Sequence, residues 1–372
     1  MLYLDANSTT PVNPAVREAM LPWLGSCFGN PSSAHRFGRK ARQALEDARD
    51  QIAGLLHADS DEVVFTSGAT ESNNLALFGL VPESPCRFAV SPIEHLCVTE
   101  PAKRLQARGY IVDPIEVDSQ GIVNDLNLDS STRLICIMRV NHETGAIQPI
   151  SDLVNASRIQ APQTLFHCDA AQAVGKLPVN FRELGVDSLS VSGHKFHAPQ
   201  GVGLLLVRKG LKLRPALFGG HQQQGRRPGT ESVILAIGLA KALELAEAER
   251  EQAWVRLSRL QSRFWELLRD QAVPAIRNSP PQSSPYVLNV SFPGCRAELL
   301  LMKLDMLGVA CSTGSACSSG SLLPSPVLKA MHAPEEILRS AMRFSWTRDI
   351  SEIELEQAAA IIARAVAEVR GQ

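Results

Sequence analysis

Val186-Asp187-Ser188-Leu189-Ser190-Val191-Ser192-Gly193-His194-Lys195 is the stretch on which the reading of this chain turns. The run from Val186 to Val191 reads as a buried strand, and it ends in small residues, a histidine and a lone lysine. An amine just past a buried strand is partly desolvated. That favours its neutral, nucleophilic form and suits it to Schiff-base formation. Read alone, a lysine after a strand is usually a solvated loop residue, so Lys195 gains its meaning from its company.

Upstream, Phe166-His167-Cys168-Asp169-Ala170-Ala171-Gln172 ends a second apolar run with a carboxylate and then an amide. A pyridoxal phosphate site needs a lysine for the aldehyde and an anion against the pyridine nitrogen. The anion keeps that nitrogen protonated, so the ring can absorb the electrons left when a bond at Cα breaks. Asp169 fits this role and Gln172 could donate to the phenolic oxygen; a helix N-cap is the ordinary alternative for Asp169. The phosphate needs backbone amides at a helix N-terminus. Val63-Val64-Phe65-Thr66 reads as a short strand running into Ser67-Gly68-Ala69-Thr70-Glu71-Ser72-Asn73-Asn74, followed by apolar Leu75, Leu77 and Phe78. Gly68 lets the backbone approach an anion and Thr70 adds a hydroxyl, although a plainly capped helix has a similar composition.

Four further segments join these: Leu4-Asp5-Ala6-Asn7-Ser8-Thr9-Thr10, Ile93-Glu94-His95, Arg227-Pro228-Gly229-Thr230-Glu231, and the serine-rich Cys311-Ser312-Thr313-Gly314-Ser315-Ala316-Cys317-Ser318-Ser319-Gly320-Ser321. Together they resemble the cysteine desulfurases, the NifS/IscS-like branch of the class V aminotransferases in pyridoxal-phosphate fold type I. The resemblance runs nearly end to end, from Leu4 to the helix before Gln372. It implies that Lys195 carries the cofactor, that Asp169 faces the pyridinium, and that Gln172 lies near the phenolic oxygen. His95 matches the histidine that stacks on the ring and shuttles protons; without the motif it would be a core or cap histidine. Thr70, with Ala69 in the same turn, and Ser192 and His194 match phosphate contacts. Thr230 matches a phosphate contact from a second subunit, which implies a homodimer.

Cys317 matches the family nucleophile, and Cys311, at a position the motif does not require, reads as structural. By composition alone the serine-rich stretch is also a flexible linker with an incidental thiol. A mobile arm is nonetheless what a persulfide carrier needs. Arg343, in Met342-Arg343-Phe344-Ser345, matches the arginine that binds the substrate carboxylate and suits bidentate contact; Asn30, in Phe28-Gly29-Asn30-Pro31-Ser32-Ser33, assists. Otherwise Arg343 would be a surface or salt-bridge residue and Asn30 a turn former.

The activity so implied is removal of sulfur from L-cysteine. Lys195 moves the Cα proton, and the Cys317 thiolate attacks the substrate sulfur, giving alanine and a persulfide for an acceptor protein. A free thiol has a pKa of about 8.5, so its proton must be taken or its pKa lowered, and His95 is the candidate for that transfer. The chain departs from the pattern at Asn141-His142-Glu143, where the family usually has a second asparagine near the phenolic oxygen. His142 can still donate there, and its titration could alter the cofactor's pH profile. The usual Leu-Gly-Arg ending after Arg343 is also replaced, and a C-terminal extension used by some members for scaffold docking is expected to be missing. A selenocysteine lyase or another class V aminotransferase would keep Lys195 and Asp169 without requiring Cys317. A non-catalytic sulfur-relay subunit is a further alternative, disfavoured by the joint presence of Lys195, Asp169, His95 and Cys317.

At 372 residues the chain is long enough for two domains with buried cores. A formal net charge of −1 gives no electrostatic case for nucleic-acid or membrane binding. The motif beginning at Leu4 leaves no room for a signal peptide. Eight cysteines without a Cys-x-x-Cys pair argue against a zinc site and fit a reducing cytosol, so a cytoplasmic protein is expected. Strand-like runs at Val63–Thr66, Phe88–Ser91, Ile111–Val117, Leu134–Val140, Thr164–His167, Ser188–Val191 and Gly203–Val207 alternate with helical segments such as Gly38–Leu56. That alternation predicts an α/β fold whose large domain (12–250) has a mostly parallel sheet covered by helices. A smaller α+β domain (1–11 and 251–372) follows. Two helical segments, Ser232–Ala248 and Gln252–Asp270, lead away from the sheet domain, and a Pro274–Pro285 loop follows. Then come a strand at Val287–Phe292, a helix at Ala297–Leu307, a strand near Met342–Ser345 and a final helix Ser351–Val369. Ligands bind at the carboxyl ends of such strands, where Thr70, His95, Asp169 and Lys195 all fall.

Overall fold

The computed structural model describes residues 1–313 and 324–370. Seven strands form one sheet: Val63–Thr66, Arg87–Val90, Ile111–Pro114, Thr132–Cys136, Leu165–Asp169, Ser188–Ser192 and Gly203–Val207. In space the strand starting at Val63 lies at one edge, followed by those starting at Gly203, Ser188, Leu165, Thr132, Arg87 and Ile111. Only Gly203–Val207 runs antiparallel to its neighbours. The connection from Ser192 to Gly203 holds only a single turn of 3-10 helix, too little for the helical crossover that a parallel neighbour requires. The other strands therefore share one direction, and Thr66, Val90, Cys136, Asp169 and Ser192 end at the same edge of the sheet.

The central strands are apolar on both faces because helices cover both. Leu189, Val191, Leu204, Leu205 and Leu206 are all fully buried, each worth roughly 1.5–3 kcal/mol relative to an exposed side chain. The helix Arg36–Leu56 supplies one cover through Ala41, Leu45, Ala48 and Ile52. Its start is capped by His35, which accepts from the Gly38 amide, and it stops at His57 in the left-handed region (φ 55°).

One prediction is corrected in the following segment. The expected pair of helices is a single helix, Val233–Gln271, of 39 residues. Glu249-Arg250-Glu251-Gln252 reads as a polar break, yet it contains neither glycine nor proline, and all four residues propagate a helix well. The helix turns different faces to two cores. Its first half, through Leu239, Leu243 and Ala246, packs against the sheet. Its second half, through Leu257, Phe264 and Leu268, packs with Leu4, Leu288, Phe344, Trp346 and Ile362.

This second core is backed by an antiparallel ladder in which Val287–Ser291 pairs with Ala341–Ser345. The Pro274–Pro285 segment is not all loop, since Ile276–Arg277 adds a short third strand. Leu2–Tyr3 pairs in parallel with Val309–Ala310, which joins the N-terminus to the chain just before Cys311. The helices Ala297–Met306 and Glu352–Arg370 complete the layer. Cys317 lies outside the described residues. Ser312 is tied by two backbone bonds to Arg343, and Ser325 donates to Glu143 Oε2 at 2.5 Å, so the segment on either side of Cys317 is anchored.

Phe264 is fully buried, and its ring meets Phe344 edge-on at 5.8 Å and Trp346 at 5.6 Å. Truncation to Ala should cost about 3–5 kcal/mol, read as a lowered urea midpoint with unchanged slope. A loss below about 1 kcal/mol would show that this cluster does not hold the second core.

Candidate active site

The strand ends open onto a cavity of about 450 Å³. Its wall contains Ala69, Thr70, His95, His142, Asp169, Gln172, Ser192, His194, Lys195 and Arg343, so ten of the residues singled out in the sequence meet in one place. Asn30 and Thr230 are not in this wall. Asn30 Oδ1 accepts from the Ser32 amide at 2.9 Å, the turn-forming alternative, and Thr230 is exposed on a segment away from the cavity.

Lys195 Nζ donates to the backbone carbonyls of Asn7 at 2.6 Å and Ser8 at 2.8 Å. Gln172 Nε2 donates to the same Asn7 carbonyl at 2.9 Å, while its Oε1 accepts from Lys176 Nζ at 2.7 Å. That second lysine is buried, and burial, then the charges of Lys195 and Arg343, lower its pKa to about 7. It fixes the orientation of the Gln172 amide, turning the NH2 away from itself.

Asp169 is 5 % exposed and held at both oxygens: Oδ1 by the Ala171 amide at 2.9 Å, Oδ2 by Asn73 Nδ2 at 2.7 Å. Nearby, Glu94 is pushed well above the carboxylate range, first by burial and then by Asp169, so charge concentrates on Asp169.

His95 is the N-cap of helix Leu96–Gln106, its Nδ1 accepting from the Cys97 amide at 3.1 Å. Burial lowers its pKa against the pull of Asp169, with Lys195 and Arg343 lowering it further. The capping bond places the neutral ring's proton on Nε2, so His95 donates there and accepts a proton only by giving up its cap. That constrains the expected role of His95 in taking the Cys317 proton. His142 packs edge-on to His95 at 5.2 Å. Burial, then His95, Arg343 and Lys195, hold its pKa well below the ordinary value, so any titration of His142 is displaced below the usual histidine range.

Arg343, 2 % exposed, donates through Nη2 to Asp5 Oδ1 at 2.9 Å and Ser8 Oγ at 2.8 Å, and through Nη1 to the His142 carbonyl at 3.2 Å. Its Nε is buried without a partner among the described residues. Cys311 lies beside it; burial, then Asp5, raises its thiol to about 12, which suits the structural role read for it.

The site fits pyridoxal phosphate. Helix Ala69–Leu80 begins at Gly68 without a side-chain cap, leaving its first amides for an anion. Gly203 allows this: a Cβ there would fall 2.6 Å from Gly68 Cα and 2.4 Å from the Val191 carbonyl oxygen. His142 Nδ1 is buried beside the cavity with no partner among the described residues, as a group awaiting a ligand would be. The sequence reading missed Asn7, Ser8, Asn73, Cys97 and Lys176. Asn7 and Ser8 stand in the quoted N-terminal motif but meet Lys195 through backbone carbonyls, which carry no side-chain signal.

The class-V aminotransferase family pattern matches residues 2–357. A cysteine desulfurase IscS of Dictyoglomus turgidum is 43 % identical over 353 residues, covering 92 % of this chain and 89 % of that protein. The solved structure of a NifS-like protein superimposes with a TM-score of 0.93 at 35 % identity, covering 99 % of each chain. A structure described as SspA in complex with cysteine gives 0.81 at 34 % identity, covering 93 % of this chain and 98 % of that one. The chain belongs to the class-V aminotransferase family and, within it, to the cysteine desulfurases of the NifS/IscS type. Its fold is pyridoxal-phosphate fold type I and its cofactor is pyridoxal 5'-phosphate. Among the described residues no helix is long and apolar enough to cross a membrane.

Five histidines, at 95, 142, 167, 194 and 197, have lowered pKa values, with burial the first cause in each and His167 and His194 brought to about 4. The unfolded chain binds protons at these groups below about pH 6.5, the ordinary histidine pKa, and the folded chain does not, so their contribution is lost as pH falls from there towards 4. Glu143, raised to about 7 chiefly by burial, acts in the opposite direction. His194→Gln should therefore flatten the acid side of the stability curve, measured as urea midpoints between about pH 7.5 and about pH 5. An unchanged slope would contradict the lowered pKa of the partly buried His194.

Proposed function

We propose that this protein takes sulfur from L-cysteine onto Cys317 as a persulfide, releases L-alanine, and hands the sulfur to an acceptor protein. The observation that carries this reading is the meeting of Lys195, Asp169, His95 and Arg343 in one cavity. Cys317 is four residues beyond Thr313, a reach of roughly 14 Å for extended chain. Ser312, adjoining Thr313, is bonded to Arg343, which itself lines the cavity.

Pyridoxal phosphate supplies the electron sink for bond breaking at the substrate's Cα. Lys195 Nζ would hold the cofactor's aldehyde and, as a free amine, would take the substrate's Cα proton. Asp169 would hold a proton at the pyridine nitrogen, and Gln172, oriented by Lys176, would face the phenolic oxygen. The amides of Ala69 and Thr70, with the Thr70 hydroxyl, Ser192 and His194, would hold the phosphate. Arg343 binds the substrate carboxylate through the Nε side of its guanidinium. Its fixed charge also favours a thiolate at the start of the Cys317 segment. The thiolate attacks the substrate sulfur. The S–Cβ bond breaks with its electron pair passing to carbon, which takes up a proton to become alanine, while the new S–S bond carries the sulfur on Cys317.

Thr230 and the exposed Phe218 support a homodimer in which each chain completes its partner's phosphate site. The acceptor is an iron–sulfur scaffold or a sulfur-carrier protein. Reduced buried thiols such as Cys97, Cys136 and Cys168 support a cytoplasmic setting.

The test is release of sulfide and alanine from L-cysteine, with and without reductant, by wild type and Cys317→Ala. Equal yields from wild type, lost in the variant while bound-cofactor absorbance persists, is the expected result. Full activity in the variant would remove the persulfide step and favour a selenocysteine lyase or aminotransferase.

A further inference from the structure

Beneath Asp169 lies a row of polar groups that the roles above leave unused. Asn73, fully buried in helix Ala69–Leu80, donates through Nδ2 to Asp169 Oδ2 at 2.7 Å and to Cys97 Sγ at 3.0 Å. Its Oδ1 lies 2.9 Å from His167 Nε2, and His167 Nδ1 lies 2.8 Å from Ser188 Oγ. His167 and Ser188 are also fully buried and stand in register on adjacent parallel strands.

Donor–acceptor complementarity leaves one arrangement for this row. An ionised carboxylate only accepts, so Asn73 must turn its NH2 to Asp169 and its carbonyl oxygen to His167. That oxygen only accepts, so neutral His167 must carry its proton on Nε2. His167 Nδ1 is then an acceptor, and the Ser188 hydroxyl must donate to it. Every hydrogen bond is directed from Ser188 towards Asp169, and reversing any one of them leaves a buried polar group unpaired.

We propose that Asn73 and His167 are positioning residues, which hold Asp169 as an oriented anion and thereby set the protonation of the cofactor's pyridine nitrogen. This rests on reading Asp169 as the pyridine's partner. Neither residue is in the cavity wall, so both act through Asp169. His167 keeps the Asn73 amide from flipping, Asn73 holds Oδ2, and the Ala171 amide holds Oδ1. If Asn73 flipped, its carbonyl oxygen would face the carboxylate, and the anion would lose a charge-assisted donor.

The experiment uses holoenzyme loaded with pyridoxal phosphate labelled with nitrogen-15 in the ring, whose chemical shift distinguishes a protonated from an unprotonated pyridine. Asp169→Asn should give the unprotonated shift. Asn73→Leu and His167→Leu should move the shift towards it and lower kcat roughly tenfold, with KM for cysteine changed less than about twofold. His167→Gln keeps a donor for Asn73 Oδ1 and should restore both readouts. If folded, cofactor-loaded Asn73→Leu and His167→Leu keep the wild-type shift while Asp169→Asn loses it, the positioning role is overturned. If Asp169→Asn also keeps it, the reading of Asp169 itself falls, and the positioning role with it. Should Asn73→Leu fail to fold, the contrast between His167→Leu and His167→Gln decides the matter.

Discussion

A buried carboxylate ending one strand and an amine just past the next set the terms for the rest of this molecule. Asp169 must stay ionised in a place with little water, which is costly unless its oxygens are supplied with donors. The structure supplies them from a backbone amide and from Asn73, and burial, with Asp169 beside it, raises the pKa of neighbouring Glu94. Lys195 donates to the backbone carbonyls of Asn7 and Ser8. Asp169 and Lys195 both line the cavity, on adjacent strand ends. Parallel strands make this possible, because their shared direction brings both ends to one edge.

The second core matters to chemistry through Arg343. Its guanidinium reaches the cavity from the middle of the Ala341–Ser345 strand, between Met342 and Phe344, which are both fully buried. Asp5 and Ser8, from the N-terminal segment, hold it there. The long helix Val233–Gln271 spans both cores, so the position of Arg343 relative to Lys195 is set by packing rather than by a loop. The same strand carries the backbone bonds to Ser312, which start the Cys317 segment beside the substrate's expected carboxylate.

Much of this was legible before any coordinates. Strand–helix alternation and motifs at strand ends pointed to the sheet and to Thr70, His95, Asp169 and Lys195, because those residues declare their chemistry by type. What stayed hidden acts through backbone or through complementarity. The carbonyls of Asn7 and Ser8 have no side-chain signature. Asn73 and His167 become meaningful only once a helix is laid over two strands. Lys176 read as an ordinary lysine, since burial cannot be seen in a single polar letter. The break expected near Glu249 was a change of environment along one helix, which polarity mimics. The downward shift of the His142 pKa comes from enclosure beside His95 and Arg343, which the histidine letter alone does not reveal.

The central claim is that Lys195, and not the second buried amine Lys176, is the residue that holds the cofactor. Borohydride reduction of the holoenzyme followed by peptide mass mapping tests it most directly. The account predicts one pyridoxyl group per chain, on the peptide containing Lys195, and none in a Lys195→Ala variant. Labelling at Lys176, or undiminished labelling in that variant, would contradict it.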